Sequence, residues 1–375
     1  MIGRRRANIA LTAWLAFVCP ARALAANVVV NYLDAQGTGF FDTSPIVPPP
    51  GSSATTLGEA RRIAFSRGAA VWASELSSRA TIQIAARMEP LTCSPTSGIL
   101  GEAGPTTVHV DFPGATTSNT WFTQALANAL ASDVYGREVD LDPQTADITA
   151  TFSSVLDDLT CLGATSWYYG LDGAPLPQTI DFMTVVVHEL AHGLGLLPLF
   201  NPSTGAEFSG RQDIFTTRLE QHSAFPASLA TMTDAQRVSA TIADPSLHWV
   251  GPLANAAAAP TLTAGIDRGH LRMHGPNPLQ AGSSLAHISN SASPNDLMEP
   301  FYTGANHNPR LAAALLRDLG WQAASATPVP AVGRVGIAVL CCALLWMFAR
   351  PRVRLGARGQ TQLTRAWSSS RRRRG

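Results

Sequence analysis

Two rhythms of apolar and polar positions divide the chain into strand-like and helix-like stretches. Val28–Leu33 (VVVNYL) reads as a strand. A Pro-rich loop at Pro45–Gly51 follows, and Thr56-Leu57-Gly58-Glu59 then spells a helix-capping box. Behind it, Ile63, Ala64, Val71, Trp72 and Leu76 mark the apolar side of a helix running to about Ser77. Thr81–Ala85, Thr107–Phe112 and Asp147–Phe152 are strand-like, and a helix over roughly Trp121–Ser132 separates the last two. Within residues 179–198 an apolar run from Met183 to Leu190 predicts a buried helix, capped by Thr179 or Asp181. Residues 199–286 are rich in Gly, Pro, Ser and Ala and show little periodicity, apart from a helix near Asp234–Ala240 with Thr233 as its cap. A last helix begins at Asn308-Pro309, carries Leu311, Leu315 and Leu316, and stops at Gly320. This order predicts an α+β fold: a mixed sheet, a buried helix over a cleft, and a largely irregular C-terminal subdomain.

Charge separates the two ends from the body. The chain has 27 basic and 26 acidic residues in 375, and every basic residue is Arg. Four Arg precede residue 26 and ten lie from Arg334 onward, leaving 13 Arg against all 26 acidic residues in the middle, a balance of −13. So acidic a body argues against nucleic acid as a partner. The first residues have the form of a secretory signal: Arg4-Arg5-Arg6, an apolar run Ile9–Val18, then Ala23-Leu24-Ala25, with the cut expected after Ala25 or Ala26. The body is expected over 26–325, with an N-terminal subdomain at 26–198 and a C-terminal one at 199–325. An Ala/Ser/Thr/Pro linker at 326–334 leads to the apolar run Val335–Ala349 and an Arg-rich tail at 350–375. Fifteen helical residues cover about 22 Å, against about 30 Å of bilayer hydrocarbon. The layout is similar to C-terminal envelope sorting signals of Gram-negative proteins, and it implies membrane contact through this segment before any processing. Export to the cell envelope or the medium is the expected localisation. Of five cysteines, only Cys93 and Cys161 fall in the body, and in an exported protein that pair is expected to be a disulfide.

The candidate chemistry lies in the buried helix. His188, Glu189 and His192 form H-E-x-x-H. Four residues are just over one helical turn, so both imidazoles project from one face and can bind a single Zn²⁺, with Glu189 beside them as a base. Gly195, three residues beyond His192, can turn the chain back toward the metal. A catalytic zinc takes three protein ligands, and the other histidines of the body are His109, His222, His248, His270, His274, His287 and His307. Position 198, where a short metzincin motif places its third His, holds Pro198. His270 and His274 repeat the four-residue spacing, but Gly269 and Gly275-Pro276 around them suggest a loop. Glu207 or Glu220 would be the ligand if an acid on a second helix completed the site.

The best candidate among these is His287, in the segment GSSLAHISNSASPNDLMEPFY (282–302). With the H-E-x-x-H-x-x-G helix before it and Asp318-Leu319-Gly320-Trp321 after it, it resembles the leishmanolysin-like metzincins. In that family a long insertion separates the Gly turn from the third His, and a turn with Met and Pro follows. The resemblance covers about 179–198 and 282–321. One departure is Ile288 directly after His287, where an aromatic residue is more familiar. The resemblance implies that His188, His192 and His287 hold zinc, that Glu189 is the catalytic base, and that Met298 forms an apolar floor beneath the metal. It implies a zinc endopeptidase with a protein or peptide substrate, whose extended chain would pair with an upper strand, Asp147–Phe152. Trp167-Tyr168-Tyr169-Gly170 would help wall the cleft, with at least one of these rings expected in the core instead, and Tyr302 would reach the reacting atoms.

Overall fold

The first strand, β1 (Asn27–Tyr32), is joined by helix α1 (Leu57–Glu75) to β2 (Thr81–Glu89), which lies parallel to β1 with Asn27 opposite Thr81 and Tyr32 opposite Ala86. The capping box forms as its sequence implies: the Thr56 side chain accepts from Glu59 N–H, and the Glu59 carboxylate accepts from Thr56 N–H. These coordinates are a computed structural model that describes residues 25–157, 161–223 and 226–324. The signal segment, the linker, the apolar run Val335–Ala349 and the Arg-rich tail lie outside the described residues, which belong to the unit Met1–Ser325. Among the described residues no helix is long and apolar enough to cross a membrane.

Two further strands complete the main sheet: β3 (Gly101–Pro105) and, beyond helix α2 (Gln124–Tyr135), β4 (Ile148–Ser153). The strand order is β1-β2-β4-β3, with β4 parallel to β2 and β3 antiparallel to β4 at the edge. Here two expectations change. Asp147–Phe152 falls within and just before β4, which is hydrogen-bonded on both sides and has no free edge for a substrate. Thr107–Phe112 forms only a two-residue pairing at Val108–His109, away from this sheet. The edge belongs to Gly-Glu-Ala-Gly-Pro, a sequence of poor strand formers.

Helix α3 (Phe182–Leu194) packs against both α1 and β3. Asp181 caps it, accepting from Thr184 N–H at 2.6 Å and from the Thr184 hydroxyl at 2.7 Å, so the cap is Asp181 rather than Thr179. Trp72 of α1 donates its indole N–H to the Val187 carbonyl at 2.9 Å, fixing the rotation of α3 about its axis. Trp167 and Tyr169 are buried against Phe182, with ring centroids 5.1 and 5.3 Å away, so these two rings take the core-packing role and hold the helix start.

The stretch 199–286 is more ordered than expected. It holds a five-stranded antiparallel sheet made of β5 (Leu219–His222), β6 (Pro226–Ser228), β7 (Leu247–Trp249), β8 (Ile266–Asp267) and β9 (His270–Arg272), in the order β6-β5-β7-β9-β8. Helices α4 (Asp234–Thr241) and α5 (Pro252–Ala258) flank it, and α6 (Arg310–Leu319) follows. The loop expected around His270 is therefore strand. Trp321 ties this half to the first, and Asp318 ties α6 to β7 and α5. Asp318 accepts from the Trp249 indole and from the free N–H groups of Leu253 and Ala254 at the start of α5, each at 2.9 Å. Trp321 donates its indole N–H to Leu194 O at the end of α3, at 3.0 Å.

One face of the second sheet collects His222, His248 and His270, with ring centroids 4.4 Å (222–248), 5.0 Å (222–270) and 6.3 Å (248–270) apart. Glu220 lies beside His222, Asp267 beside His248, and Arg272 opposite His248 across the β7–β9 pair. His248 is fully buried, and burial together with the neighbouring His222 lowers its pKa below the ordinary 6.5. The unfolded chain therefore takes up this proton at a higher pH than the folded one. The stabilisation is complete above pH 6.5 and is lost as pH falls below it. The fall in thermal midpoint between pH 7.5 and 5.5 is expected to be smaller for His248→Gln than for wild type. Equal slopes would remove His248 from the acid response.

Candidate metal centre

Each of three imidazoles is oriented by a different piece of backbone. His188 donates Nδ1–H to Leu297 O at 2.7 Å, His192 donates Nδ1–H to Leu196 O at 2.7 Å, and His287 donates Nδ1–H to Ser283 O at 2.8 Å. A carbonyl oxygen only accepts, so in all three rings the proton sits on Nδ1 and Nε2 carries a bare lone pair. The three Nε2 atoms then converge, at 3.0 Å for 188–287, 3.2 Å for 188–192 and 3.3 Å for 192–287. No proton is left to bridge any of these contacts. Protonation is no remedy: burial lowers the pKa of His188, burial and His188 together lower that of His192 to about 3, and burial with both neighbours lowers that of His287 well below its usual value.

Three lone pairs held this close repel one another unless a cation stands between them. Bonds of about 2.0–2.1 Å from nitrogen to Zn²⁺ place tetrahedral ligands about 3.3–3.4 Å apart, close to the observed triangle. The donor set therefore fits zinc. Among the described residues this is the one group of three or more His, Cys, Asp or Glu side chains that meets at metal-binding distances. Glu207 instead pairs with Arg237, and Glu220 with His222. His274 is turned to Gln280 Oε1 at 2.9 Å.

The local sequence explains how the rings are aimed. Gly195 ends α3 at φ 133°, a region that disfavours side chains, and the reversal returns the Leu196 carbonyl to His192. The Ser/Gly-rich stretch before His287 coils tightly enough to bring Ser283 O to its ring. The Met298 turn lies close to the rings: Leu297 O holds His188, Met298 O accepts from Ile288 N–H at 2.9 Å, and the Met298 side chain is fully buried. The backbone of His287 is paired with the strand continuing from β9, with His274 N–H donating to His287 O at 2.8 Å.

Glu189 faces the same cleft as the three histidines, a cavity of about 940 Å³ lined also by Ile99–Ala103, Phe301 and Tyr302. Its carboxyl is buried, which pushes its pKa up to about 8; Ala103 N–H pulls it down and Glu102 adds to the rise. Cys93 and Cys161 are disulfide-bonded, with Cα atoms 5.5 Å apart, and Cys93 lines the cleft just before β3. Tyr302 lines the same cleft, its hydroxyl accepting from Asp181 N–H at 3.0 Å at the start of α3. Sequence reasoning missed β3 and with it the neighbours of Glu189. A search of known protein families, curated proteins and solved structures gave no match to this chain.

Proposed function

We propose that this chain is a zinc endopeptidase of the metzincin type, exported to the cell envelope or the medium, with proteins or peptides as substrates. The observation that carries the reading is the convergence of three unprotonated Nε2 atoms beside a buried carboxylate, in an open cleft. His188, His192 and His287 would hold the ion, which supplies a Lewis acid that activates water and polarises an amide carbonyl. Glu189 takes the proton of the attacking water as oxygen bonds to the carbonyl carbon. As the carbon–nitrogen bond breaks, it passes that proton to the leaving amine. The turns at Gly195 and Met298 support the metzincin comparison.

Strand β3 supports an extended chain as substrate. Ser153 N–H donates to Leu100 O and Thr106 N–H to Asp147 O, so in the alternation of an antiparallel pair the even-numbered residues of β3 bond to β4. Backbone groups of Gly101 and the carbonyl of Ala103 then point to the free edge, where a peptide can add as a further strand, while Ala103 N–H serves Glu189. The test is cleavage of casein and of quenched peptides by the exported body, residues 26–325, with and without a chelator. Cleavage that stops on chelation and returns with Zn²⁺ is the expected result. A folded, zinc-loaded protein that cuts no peptide overturns it.

A further inference from the structure

Glycine inside a strand weakens it unless the missing side chain makes room for something. Strand β3 has two, and they differ. A Cβ at Gly104 would meet nothing within 4 Å, whereas one at Gly101 would lie 2.9 Å from Glu189 Cγ and 3.1 Å from the ring of the fully buried Phe152. Gly101 is not among the positive-φ residues, so its backbone does not demand glycine. The reason is space. Two residues along the strand, on the same face, Ala103 presents its N–H to the Glu189 carboxylate.

We propose that Gly101 is a positioning residue: its bare Cα lets edge strand β3 close over Glu189 and fixes where that carboxylate stands. This rests on Glu189 being the base of the proposed reaction. A methyl group at 101 cannot displace the buried Phe152 ring, so it moves the Glu189 side chain or lifts the strand, and a misplacement of about 1 Å can cost about 100-fold in rate. The three imidazoles are held by Leu297, Leu196 and Ser283, none of which lies on β3, so zinc stays.

The experiment compares Gly101→Ala with Gly104→Ala, which puts the same methyl group on the same strand in open space. Zinc-loaded Gly101→Ala is expected to keep full zinc and a KM within about twofold while kcat falls about 10- to 100-fold. Gly104→Ala is expected to match wild type. Wild-type kcat in Gly101→Ala, an equal loss in Gly104→Ala, or loss of zinc would each overturn the proposal. A second arm needs no activity: the drop in thermal midpoint caused by Gly101→Ala should shrink in a Glu189→Ala background, where the clashing Cγ is gone. Equal drops in both backgrounds, or failure of the double variant to fold, would also overturn it. If wild type cleaves no peptide, the peptidase reading fails, and this second arm still decides the role of Gly101.

Discussion

Glu189→Gln is expected to retain one zinc per chain and to lose about 10²- to 10⁴-fold in peptide turnover. The substitution preserves the shape of the side chain and its acceptor oxygen for Ala103 N–H, and it leaves every contact that aims the three imidazoles. What goes is the capacity to take a proton from water and return it to the leaving nitrogen. A structural zinc site has no use for a base, so the same substitution in a merely structural centre would change nothing measurable. The measurement is metal content by elemental analysis beside kcat on a quenched peptide. Turnover within tenfold of wild type would remove Glu189 as the base, and loss of zinc would show that the carboxylate supports the metal instead.

The site was more legible than the frame around it. His188, Glu189, His192 and Gly195 sit in a single helix, where local spacing fixes geometry, so their shared face followed from four-residue periodicity alone. His287 is 95 residues from His192. It stood out because Ser283, Met298 and the Asp318–Trp321 segment accompany it, and each of these has a physical task in the structure. Ser283 and Leu297 aim two of the rings, Asp318 holds α6 to Trp249, and Trp321 binds the second half of the chain to the first.

What stayed hidden was built from pieces with no pattern to read. Gly101–Pro105 lacks the β-branched and aromatic residues that announce a strand, because its task is close approach to Glu189 rather than burial of its own side chains. Asp147–Phe152 looked like a strand and largely is one, but sequence alternation cannot tell a central strand from an edge. Strands β5 to β9 have two to four residues each, too short for alternation to emerge from a background of Gly, Pro and Ala. Within the aromatic run Trp167–Tyr169, core and cleft rings look alike in sequence; Trp167 and Tyr169 pack on Phe182 and hold the start of α3.

His287→Ala should lose zinc to a weak chelator under conditions where His274→Ala keeps it. The two residues are close in the fold, since the backbone N–H of His274 bonds to His287 O, and both side chains are buried. Their rings differ in what they meet. His287 offers a bare Nε2 to the other two imidazoles, whereas His274 gives its Nε2 to Gln280. Removing His274 therefore costs one hydrogen bond and some packing, while removing His287 leaves two ligands where a stable site needs three. The difference should also appear in stability. An ion that binds only the folded state at a thousand times its dissociation constant adds about 4 kcal/mol. Adding zinc should thus raise the thermal midpoint of wild type and of His274→Ala, and leave that of His287→Ala nearly unchanged. Equal zinc retention by the two variants would move the third ligand away from His287. It would also leave the shared absence of a proton among these three Nε2 atoms without its explanation.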